Sequence, residues 1–352
     1  MSAISPSFKA FFLAAVFACS AFPGEASAAP DPAATRPSEQ LLLRSMESEG
    51  FPQRYFYHLR VVSKTVRSGS DDVTGNIIDL NLYRNGEAFD CSARSFRVEK
   101  STTRPNMVSR TIWNEKQLLH RQQAVEGGPE LVTEDAKSPS GVSARGESHD
   151  AFLDGQIRFD EKRMAEILLE SGTCELLGQE EVSGRACSVV GGKTPSGEYK
   201  LWLDPEVGCR VIKASVVKRP GDLLEGGRRM PSGSRLEIAI GNISLTKIGG
   251  RIIAISGAMT ETAHRPDGTG GTTESTVVRS RFDSDPDFAK FSAFVMDGIP
   301  NGQPVEKQDR SANDHFAYIW KNGQVVRDTD AGVQKLIDST IGKERNSAKS
   351  GN

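Results

Sequence analysis

Apolar and polar residues alternate with a period of two along several long stretches of this chain. The alternation is clearest around Leu59, Leu80 and Ile238. Because successive side chains of a strand point to opposite faces of a sheet, each stretch predicts a strand with one buried face. Tight-turn signals such as Asn85-Gly86 connect these strands into hairpins. The pattern therefore predicts a mainly β protein built on an antiparallel sheet.

Helical periodicity is rarer. Ser38–Glu49 predicts a helix that Ser38 can cap, and Asp160–Glu170 predicts a second one that starts on acidic residues and stops at Gly172. A third helix is predicted over Val333–Ile341. The fold class is therefore α+β, with a few helices packed on one face of the sheet.

The first residues have the organisation of a signal peptide. Lys9 precedes the apolar run Ala10–Phe22, and the small-residue triplet Ala26–Ala28 follows. A charged start, a short apolar run and an A-x-A site are what signal peptidase recognises, and the run is too short to span a bilayer. We expect a periplasmic or secreted protein cleaved between Ala28 and Ala29. The alternative is a lipid anchor on Cys19, at the end of the lipobox-like Val16–Cys19.

The whole chain can be divided into segments by the composition of its sequence. We expect residues 1–28 to be the signal peptide, residues 29–37 a flexible leader, and residues 38–284 the main β domain. Residues 285–346 are predicted to be a C-terminal extension packed on that domain, and residues 347–352 a disordered tail.

Charge and cysteine content narrow the class of protein. The net charge of −2 argues against a nucleic-acid partner, which would require a basic excess. Cys91 and the three cysteines Cys174, Cys187 and Cys209 remain after cleavage. Because an exported chain meets oxidants, we expect at least one disulfide among Cys174, Cys187 and Cys209.

Catalytic and cofactor motifs are missing from the sequence. It has no nucleophile elbow, P-loop, zinc-binding H-E-x-x-H or dinucleotide fingerprint, and its five histidines lack ligand spacing. A basic group of Lys218, Arg219, Arg228 and Arg229 is interpreted as solvated. We therefore expect no enzyme activity, no cofactor and no metal site.

The stretch from Glu181 to Val217 resembles LolA-like periplasmic proteins, the lipoprotein-sorting carriers and their relatives. The matching residues are Val182, Gly184, Tyr199, Leu201, Trp202, Leu203, Asp204, Pro205, Gly208 and Lys213. Two further segments, Arg110–Trp113 and Lys247–Ser256, are similar to other parts of that family. The resemblance implies a curved antiparallel sheet, or incomplete β-barrel, with helices over its concave side and an apolar cavity for acyl chains.

The expected function is that of an exported cell-envelope binding protein that holds a lipid or lipoprotein acyl chains. Contact with a membrane is compatible with this role. Each buried CH₂ group of an acyl chain contributes about 0.8 kcal/mol, so an apolar cavity needs no catalytic group to bind one. The alternative is a non-catalytic structural or interaction module on the same scaffold. The candidate cavity residues are Tyr57, Leu59, Val61, Ile78, Leu80, Leu82, Leu236, Ile238 and Ile240.

The signal-peptide prediction is tested by N-terminal sequencing of the exported protein. We expect a mature chain that starts near Ala29, because the A-x-A triplet ends at Ala28. Recovery of an acylated Cys19 as the first residue would contradict it.

Overall fold

The structure is a computed structural model, and it describes residues 35–48, 52–69, 73–99, 102–124, 129–134, 149–160, 162–307 and 317–328. These residues form one large curved, open and mainly antiparallel sheet with two α-helices. The predicted fold class is thereby confirmed. The predicted signal peptide, most of the leader, the helix over Val333–Ile341 and the tail lie outside the described residues.

Helix α1 spans Pro37–Ser48 and helix α2 spans Met164–Ser171. Sixteen strands, β1 to β16 in chain order, make the sheet. They are Arg54–Arg67, Val73–Asn85, Ala88–Glu99, Thr102–Trp113, Leu118–Ala124, Pro129–Glu134, Glu175–Val182, Arg185–Thr194, Gly197–Asp204, Arg210–Lys218, Arg235–Ile248, Arg251–His264, Gly270–Asp283, Pro304–Lys307, Tyr318–Lys321 and Gln324–Arg327.

Two meanders are joined side by side in this sheet. Strands β1 to β6 pair with one another in sequence order, and so do strands β7 to β13. The two meanders meet where β1 pairs antiparallel with β13, in a register that places Leu59 opposite Arg279. We call this pairing the seam. Strand β14 pairs with β6 in parallel and adds β15 and β16 at one end, so that β7 is the strand at the other end.

One face of the sheet, here called the inner face, carries the main hydrophobic core. Alternating residues of β1, β2 and β11 point into this core, as the period-two pattern predicts. Leu42 of α1, Met164 and Leu168 of α2, and Phe152 and Leu153 of an irregular segment pack against them. We call that segment, residues 150–160, the cover.

Both predicted helices of the described region are present, but the second starts later than expected. The residue before α2, Arg163, is extended, and the helix ends before Gly172, which has a φ of 65°. Asp160 lies outside the helix because its carboxylate is engaged in an ion pair with Lys218 of β10. The acidic residue at position 160 thus belongs to a buried contact rather than to a helix start.

The segment between β13 and β14 packs on the opposite, outer face of the sheet. Ile112 of β4 and Leu119 of β5 form a second hydrophobic cluster with Met296, Val305 and Trp320. Beside this cluster, the buried carboxylate of Asp90 accepts hydrogen bonds from the Arg110 guanidinium and from the backbone N–H of Phe294. No helix among the described residues is long and apolar enough to cross a membrane.

Substitution of Asp90 tests how the C-terminal segment is held. Asp90→Ala leaves Arg110 without its buried partner and removes the acceptor of the Phe294 N–H, so the free energy of unfolding should fall by about 3 kcal/mol. Limited proteolysis should then cut the segment after Asp285 faster. The control is Asp297→Ala, which removes a partner of Arg110 whose side chain is 63% exposed and should cost less than about 1 kcal/mol. Equal effects of the two substitutions in urea titrations would contradict this account.

Candidate functional site

The nine predicted cavity residues all lie on the inner face, and the structure brings them together. Eight of them are at most 4% exposed, and Ile78 is partly buried against the same cluster. Side chains of both helices and of the cover belong to the same hydrophobic cluster. That these nine residues line a cavity for acyl chains stays a prediction.

The cover reaches the sheet at a glycine. Gly257 of β12 faces the cover, and a Cβ atom built on it would lie 2.6 Å from Cδ2 of Leu153 and 3.1 Å from Cε2 of Phe152. Because real Cβ atoms do not approach other heavy atoms as closely as 2.6 Å, a side chain at position 257 would force Leu153 to shift within the packed core. The side chains of Phe152 and Leu153 are each 2% exposed.

Charged side chains buried under the cover hold it at the seam. Arg279 of β13 donates from Nε to Asp150 at 2.7 Å and from its terminal nitrogens to Asp154. Tyr57 of β1 donates its hydroxyl to the same Asp150 carboxylate at 2.8 Å. The Arg279 guanidinium also lies 5.2 Å from the centroid of the Tyr57 ring. We call these four residues the seam cluster; it links both strands of the seam to the cover.

Arg279 stays positively charged in this buried environment. Burial alone would lower the pKa of Arg279, but the carboxylates of Asp150 and Asp154 outweigh it and raise the pKa well above its usual value. A buried cation with two anionic partners is a stable arrangement only while all partners stay in place. The seam cluster therefore ties the position of the cover to the pairing of β1 with β13.

A second buried ionic group lies at the other end of the cover. The Lys218 ammonium, which is 0% exposed, donates to Asp160 Oδ1 at 2.6 Å and to the carbonyl oxygen of Ser196 at 2.6 Å. The Tyr199 hydroxyl donates to Asp160 Oδ2 at 2.8 Å. We call Lys218, Asp160 and Tyr199 the lysine cluster. The interpretation of Lys218 as part of a solvated basic patch is wrong, because it shares the inward side of β10 with Ala214 and Val216.

The pKa values in this cluster show competing effects. Burial raises the pKa of Asp160, while Lys218 and the Tyr199 hydroxyl lower it. Burial, followed by the neighbouring Asp160 carboxylate, also raises the pKa of Tyr199. Tyr199 therefore remains a neutral hydrogen-bond donor at physiological pH, and the charge of Asp160 depends on Lys218.

A cavity of about 330 Å³ opens beside the lysine cluster, between α2 and the loop after β10. Its walls combine apolar residues with the half-exposed Lys162–Glu170 ion pair, whose closest atoms are 2.5 Å apart. The residues around it are Asp160, Lys162, Ile167, Glu170, Ser171, Pro195, Ser196, Leu223, Leu224 and Gly227. None of the predicted cavity residues belongs to it.

The four described cysteines are buried, and the structure does not contain the expected disulfide among Cys174, Cys187 and Cys209. Cys187 packs with Val189, Trp202 and Ile212 in a separate cluster, whereas Cys174 and Cys209 belong to the main core. Proximity in sequence therefore misled the prediction for Cys187, because neighbouring strand positions can face opposite sides of a sheet. Within the described residues, no group of three or more His, Cys, Asp and Glu side chains is placed to hold a metal ion.

Tyr57, Tyr199 and Lys218 were named from the sequence, but the buried ion pairs of Arg279 and Lys218 with their aspartates were not predicted. A signal for the two cations was present, since Arg279 follows Val277 and Lys218 follows Val216 at the spacing of one strand face. A charge at the inward position of a strand predicts a buried partner. The partners Asp150, Asp154 and Asp160 had no comparable signal, because the cover has no regular periodicity.

Removal of the Lys218 amine tests the lysine cluster. Lys218→Met leaves the Asp160 carboxylate buried without its cation and should lower the free energy of unfolding by about 3–5 kcal/mol at pH 7.5. The double variant Lys218→Met/Asp160→Leu removes both charges and should regain most of that loss. A double variant as unstable as the single one in urea titrations would show that the pair is not the cause.

The same single variant should also depend on pH in a defined direction. Without Lys218, burial raises the pKa of Asp160 further above its unfolded value of about 3.9. The folded protein then holds the Asp160 proton more tightly than the unfolded chain does, so the variant loses stability as the pH rises from the unfolded pKa through the folded one. Its deficit relative to the parent should therefore be smaller at pH 4.5 than at pH 7.5.

No protein-family model and no curated relative matches this chain. Similar solved structures include a DUF1329 family protein from Desulfovibrio piger, 13% identical over 72% of this chain and 95% of that one, with a TM-score of 0.37. The MucA/MucB complex of Pseudomonas aeruginosa contains a chain 12% identical over 71% of this chain and 99% of that one, with a TM-score of 0.22. At these TM-scores the likenesses assign neither a family nor an activity.

Proposed function

We propose that this protein is an exported, non-catalytic interaction module of the cell envelope, and that its sheet is a scaffold for binding a partner rather than a container for a lipid. The observation that carries the proposal is the burial of the inner face. The apolar side chains that would have to contact an acyl chain belong to one hydrophobic core together with side chains of α1, α2 and the cover. Their burial supplies the stability of the fold.

The way the cover is fixed supports a permanent closure. An acyl chain could reach the inner face at this point only by displacing Phe152 and Leu153, and this movement would separate Arg279 from Asp150 and Asp154. A buried cation that loses its partners is strongly destabilising. Binding of one acyl chain would have to offset that free-energy cost and also the lost burial of the two displaced apolar side chains.

The buried ionizable groups also favour a role without catalysis. Acceptors surround the Lys218 ammonium, because the carbonyl of Leu223 and the Tyr199 hydroxyl lie within 3.2 Å in addition to Asp160 and Ser196. A nucleophilic lysine needs a neutral amine with a free lone pair. The arrangement is instead that of a cation that joins three chain segments.

A second candidate, the carrier of acyl chains that the LolA-like resemblance implies, is favoured by one observation. Apart from Arg279 and the Tyr57 hydroxyl, the inner face beneath the cover is apolar, and the cover itself is only a short segment without regular strand or α-helix. If the cover leaves the sheet, the exposed surface has the chemistry of a lipid site.

The two candidates are separated by titration with a fluorescent fatty-acyl probe and by mass spectrometry of lipids extracted from the native protein. We expect no probe binding at micromolar concentrations and no stoichiometric lipid. Saturable binding of one or two probe molecules per chain, or a stoichiometric lipid, would replace the proposed function with the carrier function.

Leu80→Arg distinguishes a core position from a cavity position. Leu80 is 3% exposed in the main core, so an arginine there should lower the free energy of unfolding by at least about 3 kcal/mol or prevent folding. The matched control is Asn81→Arg, which places the same side chain on the outer face of the same strand and should have little effect. A folded and stable Leu80→Arg protein in circular dichroism and urea titrations would indicate an accessible cavity at this position.

A further inference from the structure

Strand β7, Glu175–Val182, is the last strand at one end of the sheet. In the described part of the chain it pairs with β8 alone. Its first seven residues are exposed and Val182 is half-buried. Because a strand directs its backbone N–H and C=O groups alternately to its two sides, half of those of β7 face away from β8. The strand therefore presents a surface to which another extended chain can add.

The usual protection of a sheet edge is weak on β7. Natural edge strands prevent pairing with charged side chains (lysine above all), proline, β-bulges, inward-pointing charges or a covering segment, and of these β7 has acidic side chains and one register shift. Strand β7 has neither lysine nor proline, and it exposes Leu177 by 54% and Leu176 by 49%. The register shift between Leu176 and Gly178 is its one interruption, and Gly178 has a φ of 126° there. Two exposed leucines on an edge are apolar contacts available to a partner.

The charge of the edge is negative. Among the described residues, Glu175 and Glu181 form no ion pair, while Glu180 accepts hydrogen bonds from Lys200 and from the indole N–H of Trp202. These two donors, followed by nearby charges, lower the pKa of Glu180, so it stays ionised. No cationic side chain comes from β7 itself. An incoming strand would therefore find a row of carboxylates beside the leucines.

These charges argue against a second copy of the same chain. In an antiparallel pairing of two β7 strands about their centre, Leu176 and Leu177 of each would lie opposite Glu181 and Glu180 of the other. The leucines would meet carboxylates rather than apolar side chains, and the acidic residues of both strands would share one small surface. Like charges across a strand pair are destabilising. Leu176 and Leu177 point to opposite faces of the sheet, and so do Glu175 and Glu181. A strand that carries basic and apolar residues on each of its faces therefore satisfies both the leucines and the glutamates.

We infer that β7 is a docking edge for an extended, basic polypeptide segment that adds to the sheet as a further strand. This inference rests on the proposed function as an interaction module and names the class of partner. Main-chain hydrogen bonds supply the affinity of such an addition, and alternate side chains supply its specificity. The partner's lysine or arginine side chains pair with Glu175 and Glu181, and its apolar side chains cover Leu176 and Leu177.

Fluorescence anisotropy of a labelled peptide tests the inference on the full chain. The probe is an acetylated and amidated lysine–valine octapeptide of sequence (Lys-Lys-Val-Val)₂, which places lysine and valine on both faces of an extended strand. We expect saturable binding in the micromolar range, and binding weaker by about ten-fold or more for the same peptide with every backbone amide N-methylated. The same peptide with glutamate in place of lysine should not bind, because the edge is acidic.

Matched variants locate the site. Glu175→Lys/Glu181→Lys and, separately, Leu177→Lys should weaken binding of the lysine–valine peptide by about ten-fold or more. Glu274→Lys and Val278→Lys place the same changes at exposed positions of β13 and should leave it unchanged. All five positions are exposed, so circular dichroism should show an unaltered sheet.

Three outcomes would overturn the inference. They are no binding of the lysine–valine peptide, equal affinity for its N-methylated form, and concentration-dependent dimers that the Leu177→Lys substitution abolishes. The proposed function fails separately, through saturable acyl-probe binding. If the protein binds neither the lysine–valine peptide nor the acyl probe, the docking edge is refuted while the proposed function as an interaction module is not.

Discussion

The joining of two meanders through a single strand pair is the constraint on which the rest of this structure depends. Strands β1 and β13 are the only contact that makes one sheet of the two meanders within the described residues. The seam cluster lies on that contact, with Tyr57 from one strand, Arg279 from the other and two aspartates from the cover. Since a buried guanidinium requires its carboxylates, the cover and the seam stabilise each other.

This arrangement determines which surfaces remain for a partner. The cover and the two helices pack on the inner face, and the segment between β13 and β14 packs on the outer face at Ile112 and Leu119. What is left uncovered at one end is the long side of β7. The proposed interaction module and its docking edge therefore both follow from the same distribution of covering segments.

The sequence predicted the strands well because their signal is local. Alternation around Leu59, Leu80 and Ile238 identified the buried face of β1, β2 and β11, and this face is the one the structure buries. The same alternation cannot tell what buries it, since a core position and a cavity position have identical patterns. The cover packs against Gly257, which belongs to a distant strand. A single glycine in a strand does not indicate from the sequence which segment will pack against it.

The charged residues illustrate the same limit. Arg279 and Lys218 lie at inward positions of their strands, and their spacing from Val277 and Val216 could have predicted that they are buried. Their partners come from an irregular segment with no periodic signal, so the pairs themselves could not be assigned. The late start of α2 was missed for the same reason. Asp160 forms an ion pair with Lys218 and does not begin the helix, which starts at Met164.

The seam also has a consequence for the time course of folding. Strand β1 is among the first elements made, whereas its partner β13 comes near the end of the chain. Contacts between residues so distant in sequence slow folding, because a long loop must close before they stabilise anything. Until β13 arrives, β1 is an open edge whose inward residues lack the cover's final support. The newly made chain therefore passes through a long interval in which a holding factor would protect it from aggregation.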